Sequence, residues 1–181
     1  KNSKKRLIHI STDEVFGSLE TESADESFRF NPSSPYSSSK ASAELLINSY
    51  VTTYGVDAVI TRCTNNYGPM QFPEKLIPKA ILLAKENKKI PIMNKGVGIR
   101  DWIYVDDVID ANIKASSCND SGIFNVGYGR PYSFNYLTNT IIGMTHSSSK
   151  IKYIACNFSD KYQYHTAASM NKSNKILDFY P

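Results

Sequence analysis

Two short runs hold the residues whose types and spacing can do chemistry: Ser11-Thr12-Asp13-Glu14 and, further along, Tyr36-Ser37-Ser38-Ser39-Lys40. On a helix a spacing of four residues stacks two side chains on one face, so Lys40 can sit beneath the Tyr36 hydroxyl. An ammonium there favours phenolate over phenol, lowering a pKa that is about 10 in model peptides. The tyrosine can then act as a base toward a substrate hydroxyl near neutral pH. Residues 6–11 read as a short buried strand, which puts Thr12, Asp13 and Glu14 at its carboxyl end, where open α/β sheets collect ligands. Asp13 and Glu14 are neighbours, so in extended backbone they point different ways and can serve as acid and base at different substrate atoms. Such a set is the equipment for oxidising a sugar and removing water from it. Each half alone also has a plainer reading: Tyr and Lys often share an ordinary helix face, and Thr-Asp-Glu can cap a helix with two solvated acids.

Positioning these groups calls for strands alternating with helices. Residues 36–54 predict a helix with apolar Ala41, Leu45, Leu46 and Tyr50 along one side, ended near Gly55. Residues 56–61 predict the next strand. Residues 73–86 predict a helix that opens on a proline and an acid, and 105–115 a helix entered through Asp106 and Asp107, where acids favour the dipole. A strand at 123–126, a helix at 134–144 and a last short strand at 151–155 follow. Strands alternating with helices indicate parallel crossover units and an α/β fold. Gly127-Tyr128-Gly129 lacks the third glycine of a dinucleotide fingerprint and reads as a strand-to-loop turn.

Composition narrows the classes. The 181 residues, 41% of them hydrophobic, can bury one substantial core or two small ones. No apolar run approaches the ~20 residues of a membrane span, and no membrane partner is expected. The net charge of +4 comes from dispersed lysines, without the basic face interleaved with aromatics that nucleic-acid binding wants. Cys63, Cys118 and Cys156 are odd in number and show no metal-ligand spacing. Reduced thiols, a cytoplasmic setting and no metal are the expectation.

The first two motifs, together with Asn65-Asn66-Tyr67-Gly68-Pro69, the stretch from Met70 to Pro78, and Arg100-Asp101-Trp102-Ile103-Tyr104-Val105-Asp106-Asp107, resemble dTDP-glucose 4,6-dehydratases of the extended short-chain dehydrogenase/reductase family. The likeness runs from Arg6 to about Asn125 and is looser afterwards.

The resemblance implies NAD as cofactor and a nucleoside diphosphate sugar as partner, with a 4-keto-6-deoxy sugar nucleotide as product. It gives Tyr36, supported by Lys40, the proton of the sugar 4-hydroxyl, Glu14 the C5 proton, Asp13 the departing 6-hydroxyl and Thr12 the oxygen at C4. Asp13 must then start protonated and Glu14 ionised, which needs unlike surroundings for two neighbouring carboxyls. It implies Ser11, Tyr36, Lys40, Cys63 and Asn66 as cofactor contacts, although a buried structural thiol is an equal reading of Cys63. It implies Thr12, Asn65, Lys75, Leu76, Pro91, Met93, Arg100, Asn125, Asp160 and Lys161 as substrate contacts. Arg100 suits a diphosphate through its guanidinium fork, while an Arg-Asp pair can equally be a local ion pair. Met93 stands where the family carries an aromatic residue, and Asp160-Lys161-Tyr162 where it has Asp-Arg-Pro.

By the same resemblance the fold is a partial Rossmann-like parallel sheet with a smaller substrate-binding α/β domain. Residues 1–69 would form the catalytic part of the NAD-binding domain and 70–181 mainly the sugar-nucleotide-binding domain, interleaved with the first. The helix carrying Tyr36 would also join two copies into a homodimer. No glycine-rich pyrophosphate turn occurs among these residues, so the chain is expected to be the carboxyl-terminal part of a longer enzyme and inactive alone. Two other functions remain open: an NAD-dependent sugar-nucleotide epimerase, which needs Tyr36 and Lys40 but not the paired carboxyls, and a module that binds nucleotide sugar without turnover.

Overall fold

The computed structural model describes residues 5–20, 23–156 and 162–181. Its central element is a three-stranded parallel sheet in the order β1-β2-β7, formed by Leu7–Thr12, Ala58–Cys63 and Gly122–Val126. All six residues of β2 are buried, as a strand covered on both faces requires. The register pairs Thr12 with Cys63 and Cys63 with Val126, so the carboxyl ends of the three strands lie side by side.

Helix α1, Pro35–Tyr54, connects β1 to β2. Ser34 begins it: its hydroxyl accepts from Ser37 N while the Ser37 hydroxyl accepts from Ser34 N, each at 3.1 Å, with Pro35 as the first helical residue. Gly55 ends it with a left-handed φ of 64°. The buried side, however, is Ser37, Ala41 and Glu44. Of the row expected to face the core, only Ala41 does; Leu45, Leu46 and Tyr50 are 57%, 60% and 50% exposed. A charged residue takes the inward position because a partner for it, Arg62, waits on β2 at 2.8 Å.

The second lobe pairs β4, Ile90–Met93, with β9, Ile151–Ile154, in parallel. Helices α2, Leu76–Lys85, and α4, Phe134–Met144, cover this pair, and Ala80, Ala84, Ile90, Ile92 and Ile141 form its core. The start expected for α2 at residue 73 is three residues early: Lys75 N bonds Phe72 O in a turn, and Lys75 itself is the N-cap. Pro78 then falls in the first turn, where a missing N–H costs nothing.

Very short strands stitch the lobes together. β3, Asn65–Tyr67, runs parallel to β6, Trp102–Tyr104, and β5, Ile99–Arg100, lies between β8, Tyr132–Ser133, and β10, His165–Thr166. Helix α3, Val105–Ser117, and the late helix α5, Asn171–Leu177, pack on the first sheet, where Val59, Phe124, Val126, Leu177 and Phe179 share one core. Among the described residues no helix is long and apolar enough to cross a membrane.

The strand-to-loop turn after β7 is tightly fitted. A Cβ built on Gly127 would run into the Asp101 carboxylate and come within 2.7 Å of Thr64 Cγ2. Gly127→Ala should therefore cost about 1–3 kcal/mol of stability, read from the urea midpoint. An unchanged midpoint would mean that this corner yields.

Candidate active site

The carboxyl end of β1 turns directly into a 3-10 helix, Asp13–Phe16, and Thr12 makes the turn: its Oγ1 accepts from Glu14 N at 3.2 Å. Val15 and Phe16 anchor the turn in a core with Leu19, Ala24 and Ala41. From the other end of the chain, Gln163 pins it, donating through Nε2 to Glu14 O at 3.3 Å and to Ser33 Oγ at 3.0 Å.

The neighbouring carboxyls occupy unlike surroundings. Asp13 is 2% exposed, with the Thr166 hydroxyl as a neighbour that favours its ionised form. Burial, with the negative charges of Glu14 and Asp101 adding to it, pushes Asp13 up to about 7, against the pull of Arg100. Glu14 is only half-buried; burial raises it too, while the cations Arg100 and Lys75 pull it down. Near neutral pH Asp13 is thus a carboxyl able to give a proton, beside a Glu14 with two cations favouring its ionised form.

Arg100 reaches this corner from β5. Its guanidinium donates to Ile99 O at 2.8 Å and to Gln163 O, and lies 5.4 Å from the Phe134 ring centre and 5.5 Å from that of Tyr162. Burial lowers its pKa and the Asp13 and Glu14 charges raise it. It forms no ion pair with its neighbour Asp101. That carboxylate turns away to accept from Tyr128 N at 3.1 Å and Gly129 N at 2.9 Å, and burial, partly offset by these bonds, raises it to about 6.

Tyr36, 52% exposed, opens toward the same corner, since the Glu14 and Asp13 charges reach it. Lys40, one turn on, donates to Ile10 O at 3.0 Å. Here the expectation from spacing needs correcting. The tyrosine lies above its ordinary value, not below it, raised first by burial and then by the Glu14 charge, with the Thr12 hydroxyl pulling it down. The shared helix face is present, but the ammonium is tethered to the β1 backbone, and burial and the Glu14 charge raise the phenol.

Other expected contacts divide. Asn65 is half-buried with its N–H on Asp101 O, and Asn66 is exposed with its carbonyl held by Gln71. Lys75 stands at the head of α2, with Leu76 half-buried beside it in the second lobe. Pro91 and Met93 lie on β4, Met93 being 48% exposed. Asn125 is fully buried: its Nδ2 donates to Ala24 O at 3.0 Å and Ser169 O at 3.2 Å, tying two segments together, while its Oδ1 has no protein partner among the described residues. The Ser11 hydroxyl donates to Glu44 Oε1 at 2.6 Å. Cys63 sits in the core of the first sheet, and burial pushes its thiol up to about 11. That favours the structural reading of this cysteine. Asp160 and Lys161 lie outside the described residues.

The residues present suit one side of a nicotinamide cofactor. The carboxyl ends of three parallel strands meet there, Tyr36 is open, and Lys40 holds the backbone at the strand end. Gln163, Tyr162, Asp101 and the Glu44–Arg62 pair were not found from sequence. Asp101 carried a signal as the second half of the Arg-Asp dipeptide, and Tyr162 as the residue that stands at the proline of the family's Asp-Arg-Pro segment; neither role was read from it.

Comparison with known proteins agrees with this geometry. Residues 1–175 match the protein family described as GDP-mannose 4,6 dehydratase. A dTDP-glucose 4,6-dehydratase of Salmonella typhimurium is 50% identical over 117 residues, which cover 59% of this chain and 32% of that protein. The crystal structure of a Bacillus anthracis dTDP-glucose 4,6-dehydratase in complex with NAD superposes with a TM-score of 0.91 at 35% identity, over 97% of this chain and 56% of the other. A UDP-N-acetylglucosamine 4-epimerase of Methanobrevibacter ruminantium, in complex with UDP-N-acetylmuramic acid, superposes with a TM-score of 0.91 at 30% identity, over 98% of this chain and 57% of the other. The chain thus spans about a third of the curated relative and somewhat over half of the solved structures.

Proposed function

The chain belongs to the GDP-mannose 4,6 dehydratase family, and on that premise we propose that it carries the acid, base and sugar-nucleotide contacts of an NAD-dependent dTDP-glucose 4,6-dehydratase. The observation that carries the proposal is the pair Asp13 and Glu14, adjacent in sequence and unlike in surroundings.

NAD, when bound, supplies reversible hydride acceptance, so that oxidation at C4 and reduction at C6 leave no net redox change. The remaining work falls to side chains. Tyr36 removes the proton of the 4-hydroxyl in its phenolate form, the minor form here because burial and the Glu14 charge raise it, while the Thr12 hydroxyl holds the oxygen. The C4 ketone acidifies the C5 proton, which Glu14 takes and gives back to C5 as C6 is reduced. Asp13, protonated up to about pH 7, gives its proton to the 6-hydroxyl, which leaves as water. Arg100 and Lys75 bring positive charge to the diphosphate, with Asn65, Leu76, Pro91 and Met93 as further sugar-nucleotide contacts, and Lys40 and Asn66 toward the cofactor.

The exposed row Leu45, Leu46, Tyr50 and Tyr54 on α1 supports a homodimer built on that helix. The free thiols of Cys63, Cys118 and Cys156 suit a cytoplasmic setting. The deciding experiment supplies dTDP-glucose and NAD to the intact protein that contains this chain and follows product mass. Loss of one water is expected; an unchanged mass with inverted C4 would make it an epimerase, and binding without conversion a non-catalytic module. Tyr36→Phe should cost about 10²-fold or more in C4 oxidation, read as reduced-nicotinamide absorbance.

A further inference from the structure

The mechanism above makes no use of the charges buried between α1 and β2, Glu44 at 0% and Arg62 at 2% exposure. Arg62 donates through Nε to both Glu44 oxygens, at 3.1 and 3.0 Å, and through Nη2 at 2.8 Å. A buried ion pair is poor evidence of stabilisation, because desolvation offsets the attraction and apolar replacements of similar volume often do as well. Its surroundings suggest another role. Glu44 is one turn of α1 beyond Lys40 and two beyond Tyr36, on the buried side of that helix. Its Oε1 also accepts from Ser11 Oγ at 2.6 Å, immediately before Thr12, Asp13 and Glu14. Arg62 donates through Nη1 to Glu26 O at 3.0 Å, and its guanidinium lies 4.9 Å from the ring centre of Phe16, the last residue of the acid-base turn, and 5.1 Å from that of Phe30. One pair of charges therefore touches the tyrosine-bearing helix, the strand end and the far end of the turn.

We propose that Glu44 and Arg62 are positioning residues, which fix the helix carrying Tyr36 and Lys40 against the turn carrying Asp13 and Glu14. The activity readout rests on the dehydratase reading; a second readout does not.

The test replaces both charges by apolar residues of similar volume, Glu44→Leu with Arg62→Met, in the intact protein. Such a replacement is expected to leave the melting temperature near that of the wild type or above it. Turnover of dTDP-glucose should nevertheless fall about tenfold or more, while KM stays within about twofold because Lys75 and Arg100 are untouched. The Tyr36 titration, followed by NMR of ring-labelled tyrosine and assigned with Tyr36→Phe, should move down toward the ordinary tyrosine value as the phenol loses its burial against the turn and its approach to Glu14. A folded double variant with wild-type kcat and an unmoved Tyr36 overturns the proposal. If the double variant does not fold, Ser11→Ala, which keeps the ion pair whole, decides the matter: lower kcat at unchanged KM supports the positioning role, and wild-type kcat overturns it. A wild-type protein that converts no dTDP-glucose removes the dehydratase reading, and the Tyr36 titration then judges the positioning role alone.

Discussion

Glu14→Gln should leave the sugar C4 open to oxidation while slowing water loss by roughly 10²–10⁴-fold, the span expected when a positioned base is removed. The substitution keeps the side-chain length, the Thr12 cap on the Glu14 N–H and the Gln163 bond to its carbonyl, since both of those act on the backbone. The loss is therefore chemical and not a collapse of the turn. Mixed with dTDP-glucose and NAD, the intact variant should build up reduced-nicotinamide absorbance without releasing a dehydrated product, and exchange of the C5 hydrogen with deuterated water should stop. A variant that dehydrated at the wild-type rate would take Glu14 out of the base role.

Asp13→Asn should stabilise the protein above neutral pH even as it abolishes protonation of the leaving hydroxyl. The fold prefers the neutral carboxyl, so its folded-state value, about 7, lies above the unfolded one. Below about pH 4 both states hold the proton, and Asp13 imposes no penalty. Between there and about 7 the unfolded chain ionises first, and stability is lost as pH rises. Beyond that window the penalty levels off at roughly 4 kcal/mol. Asparagine titrates in neither state. Urea midpoints of the two proteins should lie close together at pH 4 and separate in favour of Asp13→Asn by pH 8. A gap that does not widen with pH would place a full charge on Asp13 in the folded protein. In turnover the same group predicts a rate of water loss that falls as pH rises through about 7.

What the sequence disclosed follows from how each feature is encoded. The strand Ala58–Cys63 was expected two residues early and α4 at its observed bounds, because an apolar run and a helical repeat are local patterns. Strands β3, β5, β6, β8 and β10 are two or three residues long, too short for any period to register. The inward face of α1 was misread because Glu44 looks like a surface residue until its partner, eighteen positions on, is folded against it. The chemistry shows the same division. Spacing gave Tyr36 and Lys40 a common helix face but not the Ile10 carbonyl that holds the ammonium. Motif position brought Asn125 to a strand end without saying that its side chain points inward. The contrast between Asp13 and Glu14 is a matter of burial and of cations from β5 and the head of α2, which no local pattern carries.

Gln163 and the turn it holds are 149 positions apart. The contacts among β1, α1 and β2 are near in sequence and can close early, whereas a contact of this separation bears a larger loop-closure entropy. The acid-base turn therefore gains this support later than the β1, α1 and β2 contacts form. Any event that frees the segment around Gln163, whether a nick, a truncation or local unfolding, should silence the site while the parallel sheet beneath it stays folded.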